Sequence, residues 1–340
     1  MTRSIHAAAL GLAALAGVAA SAQADPLKIR IGYQASPEKM IAFFLGRKDI
    51  APHLGKSYDV AFTLFQASSI EVTALATGDI DIGTLGYSSF GIALDGAKME
   101  DLRVVADGYR DGVDGYYSND FMVLKDGPIH SVEDLRGKVI ASNGAGSVVD
   151  IAERYMLKQH GLADKKDYML IEASLPNMFP MLTQGKADLV TMNAIYSNDP
   201  KVAAATRPLF NERDALGVTE FAFYCARIGF LDKNRAALAD FFEDVVAVTH
   251  WMLAPEHRAE ATQMLAGITK QPPEMLATYY LLPGKDVYRE PDGKPDIAAL
   301  QRNLDAMQEL GFTKSHIDAA SHTDLSFIEA AGAAYRSHQH

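Results

Sequence analysis

Two stretches of this chain, 107 residues apart, share one pattern: SIEVTALATGDIDIG at residues 69–83 and PNMFPMLTQGKADLV at residues 176–190. Each predicts an amphipathic helix that ends at a glycine, followed by an Asp, a short apolar strand and a polar loop with a tyrosine. Gly78 and Gly185 suit the position after a helix where φ is positive, and the apolar runs suit buried parallel strands. The repeat therefore indicates two similar α/β halves with a ligand held between them.

The N-terminus predicts export. Arg3 precedes an apolar stretch at residues 7–20, and an A-x-A site at residues 22–24 follows it. This is the pattern of a secretory signal peptide over residues 1–24, with cleavage before Asp25 and release into the periplasm. The apolar stretch is shorter than the ~20 residues that span a bilayer.

Composition limits the classes of function. Loss of residues 1–24 would remove Arg3 and no acid, which changes the net charge from −11 to −12. Such an acidic protein has no electrostatic reason to bind nucleic acid. Cys225 is the only cysteine and lies in an apolar run, which predicts a small core residue, no internal disulfide and no thiolate metal site. The length favours two domains, and a monomer is expected.

Strands and helices alternate along the chain nearly to residue 230, and long helices follow. Strands are predicted at residues 27–33, 58–65, 103–106, 121–124 and 138–141, and helices at residues 148–160 and 236–253. Residues 107–118, rich in Gly, Asp and Tyr, are predicted to be a connector. Ser131 is predicted to cap a short helix.

The order of several motifs resembles one family of proteins. IGYQ at residues 31–34, the first repeat through Gly83, SVEDLRGK at residues 131–138 and NGAGS at residues 143–147 occur in this order. FYCARIGF at residues 223–230 follows them. The chain is similar to the periplasmic solute-binding proteins of ABC importers, and within them to the nitrate/sulfonate/taurine type.

The resemblance implies an α/β, two-lobe periplasmic-binding-protein fold (type II), with two mixed sheets flanked by helices and a double-crossover hinge. Residues 25–112 and 217–340 would form lobe I, and residues 113–216 lobe II. It also implies that the protein captures a small anionic or zwitterionic organic ligand and delivers it to the transmembrane subunits of an ABC permease. No cofactor is implied.

The site follows from the geometry of open α/β sheets, which bind ligands outside the carboxyl ends of their strands. Small and polar residues occupy the loops predicted there. The candidate ligand-binding residues are Gln34, Ser36, Ser68, Tyr87, Ser88, Ser89, Arg110, Asn143, Gly146, Ser147, Val148, Asn193, Tyr196, Glu220 and Tyr224.

The glycine-rich loop before residues 148–160 is the candidate anion site. Gly144 and Gly146 would let the backbone approach a ligand, and the helix start would offer N–H donors with a partial positive charge. The alternative is an ordinary strand-to-helix turn capped by Ser147. Ser88 and Ser89 offer the same arrangement in the other half.

The other candidates bear on the kind of ligand. Several tyrosines that converge on one cleft would favour an aromatic carboxylate or sulfonate, although a single buried tyrosine is more often a core residue. Arg110 could pair with an anion through its planar fork, or lie solvated beside Asp111. Glu220 could accept a hydrogen bond from a ligand amine, as in taurine, or be a surface acid near the hinge.

Other functions find less support in the sequence. No H-E-x-x-H, G-x-S-x-G or G-x-G-x-x-G motif occurs, so the prediction is a protein without catalytic residues, metal site or cofactor. A related family makes the thiamine pyrimidine on this fold, but its cysteine-rich motif has no counterpart here. An exported sensor for a membrane kinase or chemoreceptor remains an alternative.

Overall fold

The computed structural model describes residues 25–34, 45–47, 49–65 and 68–338. The predicted signal peptide and the candidate Ser36 lie outside these residues. None of the helices in the described ranges combines the length and the apolar character needed to cross a bilayer.

Ten strands form two five-stranded sheets. The strands are β1 (Leu27–Tyr33), β2 (Tyr58–Leu64), β3 (Ile82–Gly86), β4 (Leu102–Asp111), β5 (Asp120–Leu124), β6 (Val139–Ser142), β7 (Met169–Glu172), β8 (Leu189–Met192), β9 (Thr206–Asn211) and β10 (Thr219–Arg227). The first sheet has the order β2-β1-β3-β10-β4, and the second has the order β7-β6-β8-β5-β9. In each, three parallel strands are followed by an antiparallel fourth strand.

Thirteen helices in the described ranges accompany these sheets. They are α1 (Ser68–Thr77), α2 (Tyr87–Asp95), α3 (Val148–Gln159), α4 (Leu175–Thr183), α5 (Ala194–Ser197), α6 (Pro200–Ala205), α7 (Glu212–Leu216), α8 (Ile228–Lys233), α9 (Arg235–Leu253), α10 (Arg258–Thr269), α11 (Pro273–Leu276), α12 (Ile297–Glu309) and α13 (Ser326–Ser337). A short 3-10 turn at Val132–Leu135 begins with a capping box at Ser131, the residue predicted to cap a short helix. The predicted α/β class with two mixed sheets is confirmed.

The repeat found in the sequence corresponds to equivalent parts of the two sheets. Its first copy is α1 followed by β3, and its second copy is α4 followed by β8. The backbone φ angle is +76° at Gly78 and +66° at Gly185, which is the left-handed geometry that glycine adopts without a Cβ clash. Ile82 and Leu189 are fully buried, as predicted for strands covered on both faces.

The chain passes from the first sheet to the second between β4 and β5 and returns between β9 and β10. One prediction here was wrong. Residues 107–111 belong to β4 rather than to a connector, because they pair with β10 from Phe223 back to Thr219. Gly108 permits this pairing, since a Cβ there would lie 2.7 Å from the carbonyl oxygen of Ala222.

Buried carboxylates join the two connections between the sheets. The Asp111 carboxylate accepts hydrogen bonds from the Ser118 hydroxyl and from both the backbone N–H and the side-chain amide of Asn119. The same Asn119 amide also donates to Glu212 Oε2 at 3.1 Å, and the Thr219 hydroxyl donates to Glu212 Oε1 at 3.2 Å. These bonds tie the outgoing and returning segments together.

Burial of the Asp111 carboxylate predicts a pH-dependent stability. Its folded-state pKa is raised to about 7, chiefly by burial, whereas an unfolded Asp titrates near ~4. Between these values the native state binds more protons than the unfolded chain, so this group makes the free energy of unfolding fall as the pH rises from about 4 to about 7. Asp111→Asn should remove that contribution. The free energy of unfolding would be measured in urea at pH 5 and at pH 8. Its fall between these two pH values should be smaller in Asp111→Asn than in the wild type by about 1–3 kcal/mol.

The exposed Asp126 provides the control. Asp126→Asn should keep the wild-type difference between the two pH values. Equal pH dependence in wild type and Asp111→Asn would contradict the assignment.

Candidate functional site

A cleft of about 430 Å³ lies where the carboxyl ends of β1 and β3 face the carboxyl end of β6. Both sheets contribute to its walls. Its lining residues are Gln34, Ser68, Ser69, Gly86, Ser88, Ser89, Ile92, Asn143, Gly144, Ala145, Gly146, Ser147, Val148, Val149 and Phe221. Eight of the residues predicted from the sequence are therefore together in one cavity.

The starts of three helices border this cleft. Ser68 and Ser69 begin α1, Ser88 and Ser89 lie in the first turn of α2, and Val148 and Val149 begin α3. The first-turn N–H groups of a helix have no intrahelical acceptor, and the helix start carries a partial positive charge. Gly86 precedes α2 without a side chain that could cap these groups. The cleft therefore presents N–H donors from both sheets.

The glycine-rich loop before α3 uses most of its own donors. The N–H of Ala145 donates to Glu172 Oε1 at 3.0 Å, and the N–H of Gly146 donates to Asp150 Oδ2 at 2.8 Å. Ser147 caps α3, since its hydroxyl oxygen accepts from the Asp150 N–H. The cap that the sequence offered as an alternative is therefore present, and the donors left to a ligand are the N–H groups at the start of α3.

A buried acid holds one wall of the cleft in place. Gln34 Nε2 donates to Ser68 Oγ at 2.7 Å and to Glu71 Oε2 at 3.0 Å, and the N–H of Thr84 donates to Glu71 Oε1. Glu71 is fully buried. Sequence reasoning missed it because an acid on an amphipathic helix is usually on the solvent side. Glu71 lies three residues after Ser68 on α1, so the two side chains share one face of the helix and can both bind Gln34. This spacing is the one local signal in the sequence for the role of Glu71.

Tyr87 lies behind the lining and joins the two sheets. Its hydroxyl donates to the backbone oxygen of Val148 at 3.1 Å, and its ring is fully buried. Burial, with the charges of Glu212, Asp111 and Asp150 added to it, raises the pKa of the Tyr87 hydroxyl well above its usual value. Tyr87 therefore remains a neutral hydrogen-bond donor.

Arg110 and Glu220 pair with each other outside the cleft lining. Arg110 Nε lies 3.1 Å from Glu220 Oε2, and a guanidinium nitrogen also donates to the backbone oxygen of Lys294. Glu220 is fully buried and also accepts from the N–H of Asp296. Within the described chain these groups form a structural network beside β4 and β10, so the part they take in binding stays a prediction.

The remaining candidates lie away from the lining as well. Tyr224 is buried in β10 between β3 and β4. Asn193 precedes α5 and Tyr196 lies within it, at the end of β8. Among the described lining residues Phe221 provides the aromatic surface, stacked on Tyr109 at 4.8 Å between ring centroids. The expected convergence of tyrosines on the cleft is not observed there.

The lining chemistry is polar and uncharged. The described lining offers hydroxyl, amide and backbone N–H groups with patches of Ile92, Val149 and Phe221, and it contains no charged side chain, His or Cys. Such a surface can donate several hydrogen bonds to a small anion without an ion pair. Five further lining residues lie in or next to the repeat and the glycine-rich loop found in the sequence: Ser69, Gly86, Gly144, Ala145 and Val149.

Comparison with known families identifies the relatives of this chain. The model of the NMT1/THI5 like family matches residues 56–259. No protein of curated function matches the chain in sequence.

Solved structures share the fold at low sequence identity. The periplasmic aliphatic sulphonate binding protein SsuA from Escherichia coli superposes with a TM-score of 0.65 at 21% identity, covering 88% of this chain and 92% of that one. The periplasmic nitrate-binding protein NrtA from Synechocystis PCC 6803 gives a TM-score of 0.66 at 13% identity, covering 91% of this chain and 89% of that one. The desulfurization enzyme DSZB gives a TM-score of 0.64 at 12% identity, covering 91% of this chain and 100% of that one. The predicted periplasmic-binding-protein fold is thus confirmed, and the family model, which covers more than half of the chain, identifies the family as NMT1/THI5 like.

The link between Tyr87 and Val148 predicts a measurable stabilisation. Tyr87→Phe removes the hydroxyl and keeps the buried ring, so the free energy of unfolding should fall by about 0.5–1.5 kcal/mol in urea titrations. Tyr155→Phe is the matched control, since Tyr155 lies on α3 with no hydrogen bond from its hydroxyl in the described chain. An equal loss in both variants would show that the Tyr87 hydroxyl has no special part.

Proposed function

We propose that this chain, which belongs to the NMT1/THI5-like family, is the extracytoplasmic substrate-binding component of an ABC importer. The proposal rests mainly on one observation: helix starts from both sheets border a single cleft. The shared fold with sulfonate- and nitrate-binding proteins supports it. The signal peptide predicted at residues 1–24 supports release into the periplasm, with cleavage before Asp25.

The ligand we propose is a small organic anion of the sulfonate or aromatic carboxylate type. A cleft of about 430 Å³ suits a ligand of that size. Each helix start favours a negative charge by about 0.3–1 kcal/mol, and the hydrogen bonds add to this. The apolar side chains Ile92, Val149 and Phe221 would face the organic part.

Residues 25–112 with 217–340, and residues 113–216, would be the two lobes. The ligand would contact donors of both lobes, so it would bind the closed arrangement more tightly than the open one and shift the hinge equilibrium towards closure. The closed face would then be presented to the permease. The hydrogen bonds of Asp111 and Glu212 keep the two connections together during such a movement.

An enzyme is the second candidate, because the fold is shared with a desulfurization enzyme. The chemistry of the lining argues against it. Cys225 is fully buried in β10, and burial raises its pKa well above the usual value. The described lining also lacks a carboxylate or an imidazole for proton transfer. Incubation of the protein with its ligand, followed by mass spectrometry, would reveal turnover if this candidate were correct.

The same site could serve an exported sensor instead of an importer. The genes beside this one distinguish the two: a permease and an ATPase gene support import, and a lone membrane kinase gene supports sensing.

A charge placed at the start of α2 tests the anion site. Ser89→Asp should weaken the binding of an alkanesulfonate at least about a hundredfold in isothermal titration, because a carboxylate would occupy the place of the ligand charge. An acid in the first turn of a helix favours folding, so the variant should remain as stable as the wild type. Ser89→Asn, nearly the same in shape, should bind within about tenfold of the wild type. Equal binding by the Asp variant and the wild type would contradict this site.

A thermal-shift screen tests the ligand class. Alkanesulfonates, aromatic carboxylates, nitrate and neutral analogues of the sulfonates would be compared at equal concentration. A ligand that binds the folded state stabilises it by about 2.7 kcal/mol at a hundredfold excess over Kd. We expect a shift with at least one organic anion and none with its neutral analogue. A shift with neutral compounds alone would contradict the proposed class.

A further inference from the structure

A second polar site lies at the opposite end of the first sheet from the cleft. His53 lies in the loop before β2, beyond the amino ends of β1 and β2, whereas Gln34 follows the carboxyl end of β1. Seven strand residues separate the two ends, a distance of about 20 Å. This site therefore shares no residue with the cleft.

Three potential ligand groups meet there. The side chains of His53, Asp240 and Glu243 place one nitrogen and two carboxylate oxygens within 4.8 Å of one another. Asp240 and Glu243 are three residues apart on α9, which places them on one face of the helix. His53 approaches this face from the loop before β2.

The tautomer of His53 is fixed by a buried acid. Asp244 Oδ1 lies 2.8 Å from His53 Nδ1 of the imidazole ring. Asp244 Oδ2 accepts from the backbone N–H of His53 at 3.1 Å and from the Tyr58 hydroxyl at 2.7 Å. The Asp244 side chain is only 2% exposed. An ionised carboxylate can only accept, so Nδ1 carries the proton, and in the neutral imidazole Nε2 offers its lone pair to a metal ion. A histidine oriented by a carboxylate in this way is the usual arrangement of a metal ligand.

Within the described part of the chain, the two carboxylates have no cationic partner. No ion pair or hydrogen bond reaches Asp240 or Glu243 from residues of the described chain. Two adjacent unpaired carboxylates repel each other, and a divalent cation would relieve that repulsion. Ligand atoms around Zn²⁺ lie ~3.4 Å apart at bond lengths near 2.1 Å, so small rotations of the two acidic side chains would close the site.

We propose that His53, Asp240 and Glu243 bind one divalent transition-metal ion of the Zn²⁺ class. One imidazole nitrogen and two carboxylate oxygens suit such a borderline ion better than Ca²⁺ or Mg²⁺, which prefer oxygen ligands alone. Water would complete the coordination. The ion would join the loop before β2 to α9.

Zinc titration of the full exported chain tests the proposal. The background carries His338→Ala and His340→Ala, because two terminal histidines can also bind metal. Isothermal titration should show one Zn²⁺ site. Asp240→Asn with Glu243→Gln should weaken it at least about a hundredfold, and a chelator should lower the melting temperature of the background protein but not of this variant.

The matched control is Asp305→Asn with Glu309→Gln on α12, where Asp305 Oδ1 lies 3.6 Å from His316 Nδ1. This pair should leave the zinc affinity unchanged. Histidine ring NMR supplies a readout that does not depend on the variants: Zn²⁺ should shift the Nε2 resonance of His53 while Nδ1 keeps its proton. Equal losses in both variants, no effect of Asp240→Asn with Glu243→Gln, or no shift at His53 would each overturn the proposal.

Discussion

The close approach of the starts of α2 and α3 is the constraint on which the candidate site depends. A Cβ at Gly86 would lie 2.9 Å from a methyl group of Val148 and 3.3 Å from the backbone oxygen of Phe221. The absence of a side chain therefore lets the two sheets meet there, and the Tyr87 hydroxyl joins them through the Val148 carbonyl. With the helices held at this separation, one small molecule can reach donors from both.

The placement of charge around the cleft follows from burial. Glu71 and Asp150 are fully buried next to its walls, where they accept hydrogen bonds from Thr84 and Gly146. Asp150 is paired with Arg154 at 2.9 Å, which offsets its repulsion of an anion in the cleft. The two buried acids thus fix the backbone of the cleft walls, and the lining itself consists of uncharged residues that offer hydroxyl and N–H groups.

Much of the fold could be predicted from local pattern. The alternation of apolar residues predicted β1 at residues 27–33, which are its observed bounds. The glycine after each repeat helix predicted a positive φ angle, which is observed at Gly78 and Gly185. The extension of β4 to Asp111 could not be predicted, because it depends on pairing with β10 more than 100 residues later. The pairing of Arg110 with Glu220 has the same cause: these residues are neighbours only once both strands are in place.

The repeat predicts the architecture better than it predicts the site, because the two halves diverge where they meet the ligand. β3 and β8 are equivalent strands, yet β3 leads into the nine-residue α2 whereas β8 leads into the four-residue α5. A single turn of helix has little macrodipole to offer. The second half contributes through α3 instead, twelve residues long, which follows β6. β6 occupies in its sheet the position of β1 in the other, and the end of β1 also lines the cleft at Gln34. Among the described lining residues, the first half therefore contributes the ends of β1 and β3 and the start of α1, whereas the second half contributes the end of β6 with α3. This unequal contribution can favour one orientation of a ligand that has an anionic end and an apolar end.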